Sequence, residues 1–313
     1  MNGFREPMLA SPTERRFSSP DWVFERKLDG MRALAVRDGG LPRLWSRNGR
    51  RIDESFPEIV EALTELGGPR FTADGEIVAF DGRQTSFARL QARIHLTGAA
   101  RIAATGVEVY YYLFDLPSYG GEDLSRVPLR ERKGLLRRAF EYRDPLRYSV
   151  HRNTEGEALY ADACARGWEG LIAKRAASRY RSGRSRDWLK FKCVRDQEFV
   201  VGGFTDPQGS RTGFGALLVG YHDGRGPLRY AGKVGTGYDE RTLRLLRARL
   251  DAMEQDASPF TGPIREPGAH WVRPEMVVQV GFTEWTPDGR LRHPRYQGER
   301  ADKRAADVAR EAV

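Results

Sequence analysis

Four short β-type runs, Trp22–Phe24, Ala33–Val36, Leu44–Ser46 and Ile77–Phe80, are cut apart by Asp-Gly and Asn-Gly turns within the first 80 residues, and this punctuation constrains the fold more than any other feature. Segments 54–66 and 84–95 carry apolar residues at helical spacing, Val107–Leu113 is a dense β run, and Pro128–Tyr142 and Glu155–Arg166 read as further helices. Near Gln197 the pattern changes. Glu198–Phe204, Ala216–Tyr221 and Leu228–Val234 read as strands, Glu240–Met253 as one amphipathic helix, and Val277–Trp285 as a last strand after the proline-containing stretch Ser258–Pro267. Strand–strand–strand–helix–strand fits a small barrel of the oligonucleotide-binding (OB) type. The expected organisation is α+β, with one domain over 1–196, a hinge near 193–198 and a β-barrel domain over 197–313.

Composition narrows the function classes. The 313 residues hold 52 Lys+Arg against 43 Asp+Glu, a net charge of +9, with 40% hydrophobic residues. That balance excludes a disordered tail, a collagen-like chain and a disulfide scaffold, and favours a polyanionic partner. The bias is concentrated in 1–196, where 35 basic residues face 27 acidic ones; 197–313 holds 17 and 16. No apolar run approaches the ~18–20 residues of a membrane span, and the charged, proline-containing N-terminus lacks an apolar signal region. Two cysteines, Cys164 and Cys193, are too few for a cysteine-based zinc site and suggest a reducing compartment.

The basic residues divide into 45 Arg and only 7 Lys: Lys27, Lys133, Lys174, Lys190, Lys192, Lys233 and Lys303. Under so strong a bias, lysines that persist are enriched where a compact, deprotonatable ammonium is needed. Lys27, Lys174, Lys190 and Lys192 fit that reading by context; Lys133, on a charged helical run, reads as an exposed leftover.

There is no G-x-x-x-x-G-K-[ST] phosphate loop, and H-E-x-x-H, G-x-S-x-G and C-x-x-C are absent. The five histidines are scattered. Instead the chemistry-bearing strings run Glu25-Arg-Lys27-Leu-Asp29-Gly30-Met-Arg32, Ser46-Arg47-Asn48-Gly49, Asp74-Gly75-Glu76, Phe114-Asp115, Glu169-Gly-Leu-Ile-Ala-Lys174 and Trp188-Leu-Lys190-Phe-Lys192. The chain closes with Arg292-His-Pro-Arg295 and Glu299-Arg300-Ala-Asp302-Lys303. Singly each is weak: a Lys-x-Asp-Gly turn is more often a hairpin, and a strand-end glutamate is more often a surface group.

In this order the strings resemble the covalent nucleotidyltransferase superfamily, and within it the ATP-dependent DNA ligases, above all the ligase domain of bacterial non-homologous end-joining (ligase D type) enzymes. The resemblance extends over essentially the whole chain. It implies an adenylation domain of antiparallel sheets with flanking helices, followed by an OB-fold domain. It also implies sealing of 5′-phosphate/3′-hydroxyl breaks in duplex DNA through a lysyl-adenylate and a DNA-adenylate.

Such chemistry asks for these residue types. A lysine amine must attack the α-phosphate of ATP, although its reference pKa is about 10.4. Neighbouring cations lower that value and a divalent ion polarises the phosphate. By resemblance Lys27 is the nucleophile. Glu25, Arg32, Arg47, Glu76, Phe114, Lys174, Arg184, Lys190 and Lys192 line the nucleotide, with Phe114 against the adenine and Glu25 contributing through its backbone. Glu76 and Glu169 hold Mg2+ or Mn2+. Arg300 and Lys303, with Arg295 weaker, belong to a terminal motif that orients the pyrophosphate when the second domain closes; an ion-pair set with Asp302 is the alternative.

Between Lys174 and Lys192 eight basic residues stand against one acid, Asp187. Arg179, Arg181 and Arg186 are the expected DNA-phosphate contacts, salt-sensitive and blind to sequence. Leu28 and Met31 depart from the aromatics common in relatives, which affects packing rather than reaction. No further DNA-binding, polymerase or nuclease module is recognised, so the resemblance implies a monomer with a weak grip on DNA, helped by a Ku-type end-binding protein. A cytoplasmic, nucleoid-associated location with no membrane contact is expected. The rivals are a capping guanylyltransferase or RNA ligase, a catalytically dead nucleic-acid-binding protein, and a basic barrel adaptor.

Overall fold

The apolar runs become strands that extend beyond their apolar centres, because backbone pairing carries polar residues into the ladder. The computed structural model describes residues 5–193, 196–207, 209, 212–223 and 226–311, and the chain divides after Cys193 into two units. Residues 194 and 195, within the expected hinge, lie outside the described residues.

In the first unit the order is β1 (Met8–Pro12), β2 (Trp22–Arg26), β3 (Met31–Arg37), β4 (Arg43–Ser46), α1 (Pro57–Glu65), β5 (Phe71–Val78), β6 (Phe80–Asp81), β7 (Gln84–Thr85) and α2 (Phe87–Gln91). There follow α3 (Ala99–Ala103), β8 (Tyr110–Tyr119), β9 (Glu122–Asp123), α4 (Leu129–Ala139), β10 (Leu146–Tyr148), β11 (His151–Asn153), α5 (Gly156–Ala165), β12 (Gly170–Arg175) and β13 (Gly183–Lys192). One sheet has the order β1-β13-β12-β2-β11, the other β10-β8-β5-β3-β4 with β9 on β8. Pairing is antiparallel except for β1 with β13 and β10 with β8.

Side chains alternate across a strand. In the first sheet Phe24, Leu171, Ala173 and Phe191 form an apolar cluster with Ala163 of α5, which leaves the other face for chemistry. In the second sheet Met31, Ala33, Ala35 and Ile77 pack with Ile59 and Leu63 of α1 and Leu136 of α4, which leaves Arg32, Asp74 and Glu76 on the opposite face.

The second unit contains β14 (Asp196–Thr205), β15 (Leu217–His222), β16 (Leu228–Val234), α6 (Glu240–Asp251), β17 (Glu254–Gln255), β18 (Ala269–Val272), β19 (Val277–Gly281), β20 (Glu284–Trp285), β21 (Leu291–Arg292) and β22 (Arg295–Glu299). Its main sheet runs β16-β15-β14-β18-β17, and the long β14 also pairs with β19, which pairs with β22. One strand bridging both parts lets the sheet curl around Phe199, Val201, Leu217, Val219 and Val278, with Leu243, Leu246 and Leu250 of α6 against this core. This is an OB-fold domain.

Several expectations change in detail. The strand expected at Ile77–Phe80 begins at Phe71, the helix over 84–95 contracts to α2, and the run Val277–Trp285 divides into β19 and β20. Strands β12, β13 and β22 carry too many polar residues or glycines to stand out by hydropathy. Cys164 and Cys193, taken as a sign of reducing surroundings, are joined as a disulfide between the end of α5 and the residue after β13. Among the described residues no helix is long and apolar enough to cross a membrane.

Candidate active site

Lys27 follows β2 directly. Its backbone N–H donates to Gly170 O at 2.8 Å, continuing the β2–β12 ladder by one residue, and its Nζ donates to Glu169 Oε1. Both side chains are 16% exposed, enough to be reached by a ligand and too little to be dissolved in water. The loop behind Lys27 is anchored twice: Asp29 N–H donates to Thr85 Oγ1 at 3.1 Å and Asp29 Oδ2 accepts from the Phe87 N–H at 3.1 Å.

Two glycines set this geometry by close approach. A Cβ on Gly30 would lie 2.3 Å from Ile77 O, so the Asp-Gly step serves the approach of β3 to β5. Gly170 has φ +143°, and a Cβ there would lie 1.9 Å from Phe191 O. Only glycine lets β12 reach β13 directly beside Glu169.

Beneath the nucleophile lies a buried charge cluster. Glu25 is 2% exposed; Lys133 Nζ reaches its Oε1 at 2.8 Å, and Lys174 Nζ and Ser149 Oγ donate to its Oε2 at 2.9 and 3.1 Å. Burial works against the Glu25 charge, but the two ammonium groups prevail and hold the carboxyl at about 2. Burial pushes Lys174 down to about 8, against the pull of Glu25 and aided by Lys133. His151, paired in register with Glu25, is held at about 4 by burial and by Lys133, so it is neutral at pH 7.

Two readings are corrected here. Lys133, expected as an exposed leftover, is 1% exposed and also donates to Ser149 O at 3.1 Å and Phe114 O at 3.4 Å. It lies on α4 with Leu129, Arg132 and Leu136, a spacing of i, i+3, i+4 and i+7 that turns all four inward. The helical spacing together with lysine scarcity was the signal. Glu25, expected to contribute through its backbone with an uninformative side chain, uses its carboxylate as the counter-ion of two lysines.

The second sheet supplies the facing wall. Arg32 grips Asp74 through Nε–Oδ1 at 2.5 Å and Nη2–Oδ2 at 2.6 Å, and Nη2 also donates to Met8 O at 3.1 Å. Asp74 is fully buried and accepts from Tyr180 OH at 2.5 Å. Burial disfavours the Arg32 charge, yet Asp74 raises its pKa above the usual value. Glu76 is in direct register with Arg32 and so shares its face. The pairing of β5 with β8 shifts between Asp74, opposite Asp115, and Gly75, opposite Leu113. Phe114 is the extra residue, and a bulge of this kind re-aims a side chain.

The Phe114 ring is 7% exposed, with Lys174 Nζ 4.0 Å and the Arg32 guanidinium 4.5 Å from its centroid and the Trp188 ring edge-on at 6.0 Å. Behind it Asp115 and Arg132, both fully buried, form a two-pronged pair at 2.7 and 2.8 Å. Sequence reasoning assigned no role to Asp74, Tyr180, Arg132, Ser149 or Trp188; their partners are remote in the chain.

Lys190 lies opposite Ile172 and Lys192 opposite Gly170 in the β12–β13 register, on the face that carries Glu25 and Lys174. Arg47 sits half-buried in the turn after β4, closed by Gly49 N–H to Ser46 O at 3.0 Å. Arg184 is exposed and donates to Ala10 O at 2.9 Å; Arg179, Arg181 and Arg186 are exposed on and before β13. In the second unit Arg300 forks onto Asp302 at 2.9 and 3.0 Å and Lys303 Nζ reaches Glu198 Oε1 at 3.1 Å. Burial opposes the Asp302 charge, while Arg300 and Lys303 lower its pKa.

The buried polar atoms of the first unit that have no hydrogen-bond partner among the described residues include two at this site, Glu169 Oε2 and Trp188 Nε1. Each such atom costs about 1–3 kcal/mol unless a water, an ion or a ligand satisfies it. A carboxylate oxygen left open beside a lysine, with Glu76 on the facing sheet, suits a hard divalent ion that takes its remaining ligands from phosphate and water. No cluster of three or more His, Cys, Asp or Glu able to hold an ion occurs among the described residues.

Comparison with known proteins bears on the family of the chain. The family model of the ATP dependent DNA ligase domain matches residues 7–192, and that of the ATP dependent DNA ligase C terminal region matches residues 210–303. The multifunctional non-homologous end joining protein LigD of Pseudomonas aeruginosa is 41% identical over 313 residues, covering 97% of this chain and 36% of that protein. The multifunctional non-homologous end joining DNA repair protein LigD of Mycobacterium tuberculosis is 36% identical over 314 residues, covering 97% of this chain and 40% of its own length. The chain thus spans well under half of these relatives. A solved mycobacterial DNA ligase D complexed with ATP and MES is 34% identical with a TM-score of 0.68, covering 97% of this chain and 98% of that one. With both family models matched in order and the fold shared along nearly its whole length, the chain belongs to the ATP-dependent DNA ligases.

Proposed function

We propose that this chain seals 5′-phosphate/3′-hydroxyl breaks in duplex DNA with ATP and acts in non-homologous end joining. The observation that carries the reading is Lys27, a partly buried amine at a strand end, bonded to a glutamate whose second oxygen is open and faced by a wall that holds Arg32 and Glu76.

The deprotonated Lys27 amine attacks the α-phosphorus of ATP. The bond to the bridging oxygen breaks and pyrophosphate leaves, giving AMP joined to Nζ. An oxygen of the DNA 5′-phosphate then attacks that phosphorus and the lysine departs with a proton. Finally the 3′-hydroxyl attacks the DNA 5′-phosphorus, loses its proton and displaces AMP. Arg32, Lys190 and Lys192 are assigned to phosphate charge, and Arg47 to ribose or phosphate. Phe114 and Glu25 are assigned to the adenine side, Lys174 to phosphate, and Arg300 and Lys303 to the leaving pyrophosphate. Arg179, Arg181 and Arg186 are assigned to the DNA backbone, with Arg184 at the nucleotide. Glu76 and Glu169 would hold Mg2+ or Mn2+, which neutralises charge on the triphosphate. The same Glu169 also fixes the amine that attacks. A Ku-type end-binding protein is the proposed partner.

The test uses protein pretreated with pyrophosphate to remove any AMP already on Lys27. It is mixed with α-labelled ATP and Mg2+ beside a Lys27→Ala variant, with α-labelled GTP in parallel, followed by a nicked duplex. ATP label that survives denaturation, disappears in the variant and is chased into sealed DNA is the expected result. Label from GTP alone, or none from either, overturns the reading.

A further inference from the structure

A second cleft opens on the first unit, with a volume of about 710 Å³. None of the residues assigned above to the nucleotide or to the divalent ion lines it. Its charge comes from four arginines on separate elements: Arg26 at the end of β2, Arg83 in the β6–β7 turn, Arg89 on α2 and Arg147 on β10. Glu108 is the acidic residue of the lining, and Asp144 outside it takes up Arg147 at 2.7 and 3.0 Å. Positive charge remains in excess.

The wall of the cleft is aromatic. Tyr110 and Tyr112 project from β8, and Arg147 lies 3.8 Å from the Tyr110 ring centroid and donates to Tyr112 OH at 3.0 Å. Arg26 rests on the Trp168 ring at 4.6 Å. Its Nε and Nη2 are buried and have no hydrogen-bond acceptor among the described residues, an arrangement that a bound anion would repair. Burial lowers its pKa from the ordinary guanidinium value.

We propose that this cleft receives an unpaired nucleotide of a DNA end, phosphates on the arginines and base against the tyrosine wall; the inference rests on the ligase reading above. Cations on four separate elements suit successive phosphates of a strand better than one isolated anion. An aromatic wall recognises a base only when its face is free, which excludes bases stacked inside a duplex and makes the contact indifferent to sequence. The cleft is tied to the reacting centre through the chain itself: Arg26 precedes Lys27, and Tyr112 is in register with Glu76 on β5. Asp29 binds the Lys27 loop to Thr85 on β7, which follows the turn carrying Arg83, and to Phe87, the first residue of the helix carrying Arg89. A strand presenting its end to Lys27 would therefore have its unpaired neighbours held here.

The test is fluorescence anisotropy of the full chain with three labelled duplexes: blunt, carrying a three-nucleotide 3′ tail, and carrying a tail of abasic spacers. The tail should tighten binding about tenfold, the scale of one stacked base and its phosphates, and the abasic tail should recover only part of that gain. In the double variant Arg83→Glu/Arg89→Glu, two exposed positions, the gain should fall below twofold while ATP labelling of Lys27 stays at the wild-type level. A wild-type chain that binds blunt and tailed ends equally overturns the proposal. So does a gain that persists in the variant, an abasic tail that binds as well as the natural one, or displacement of the tail by millimolar AMP, which would mark a mononucleotide site. Binding needs no turnover. Loss of Lys27 labelling with the tail gain intact therefore sinks the ligase reading alone, and the converse sinks only this one.

Discussion

Replacing Lys133 by methionine isolates the buried charge cluster. The substitution keeps an unbranched stem and removes the ammonium, together with its ion pair to Glu25 at 2.8 Å and its bonds to Ser149 O and Phe114 O at 3.1 and 3.4 Å. Breaking one side of a buried pair costs about 3–5 kcal/mol. Glu25 retains Lys174 at 2.9 Å and Ser149 Oγ at 3.1 Å, which places this case at the lower end, about 3 kcal/mol. For a unit of this size that is about 6–12 °C in Tm. Equilibrium urea unfolding of wild type and Lys133→Met measures it, and a cycle with Glu25→Gln and the double variant should return a coupling of about 1–3 kcal/mol. An exposed lysine would give a change within about 0.5 kcal/mol and no coupling. That result would refute the account of Lys133 as the ammonium that holds Glu25, and with it the inward-turned face of α4.

The same cluster sets an acid limit. Glu25 stands at about 2 against an ordinary 4.5, so its contribution, about 3 kcal/mol, is fully present above pH 4.5 and is lost as pH falls towards 2. Urea midpoints across that window should decline less steeply in Glu25→Gln. His270 behaves oppositely: its bonds to Glu254 at 2.8 Å and Asp206 at 2.9 Å raise its pKa against partial burial. The stability it adds is complete below about pH 6.5 and fades as pH rises through the folded value. Exposure keeps the effect below about 1 kcal/mol, and a pH series of thermal unfolding should be flatter in His270→Gln. In Gly170→Ala the new Cβ meets Phe191 O, a backbone atom that gives way only if β12 and β13 separate. The expected cost is above about 3 kcal/mol, and Lys27 labelling should fall with it because Glu169 moves; wild-type labelling and stability would contradict the geometry.

Local features of the chain determined a good part of the outcome. Turn-punctuated β runs, five of the six α-helices among the described residues, the change of pattern near Gln197 and the ordered strings around Lys27, Glu76, Glu169 and Lys190 are all written in short windows, where periodicity and turn chemistry act. Lysine scarcity pointed to Lys27, Lys174, Lys190 and Lys192 because an arginine-biased chain keeps few lysines without reason. Pairing across long separations was not written there. Glu25 with Lys133 and Lys174, Arg32 with Asp74 and Tyr180, and Asp115 with Arg132 join residues 17 to 149 positions apart. A charge reads as solvated until something remote neutralises it. Only the tertiary structure turned Lys133 inward, made the Glu25 side chain a counter-ion, used the β8 bulge to re-aim Phe114 and gathered four scattered arginines around one cleft. The physical reason is the same in each case: a local pattern dictates which face a residue occupies, whereas its partner, its burial and hence its charge are decided by what the fold packs against that face.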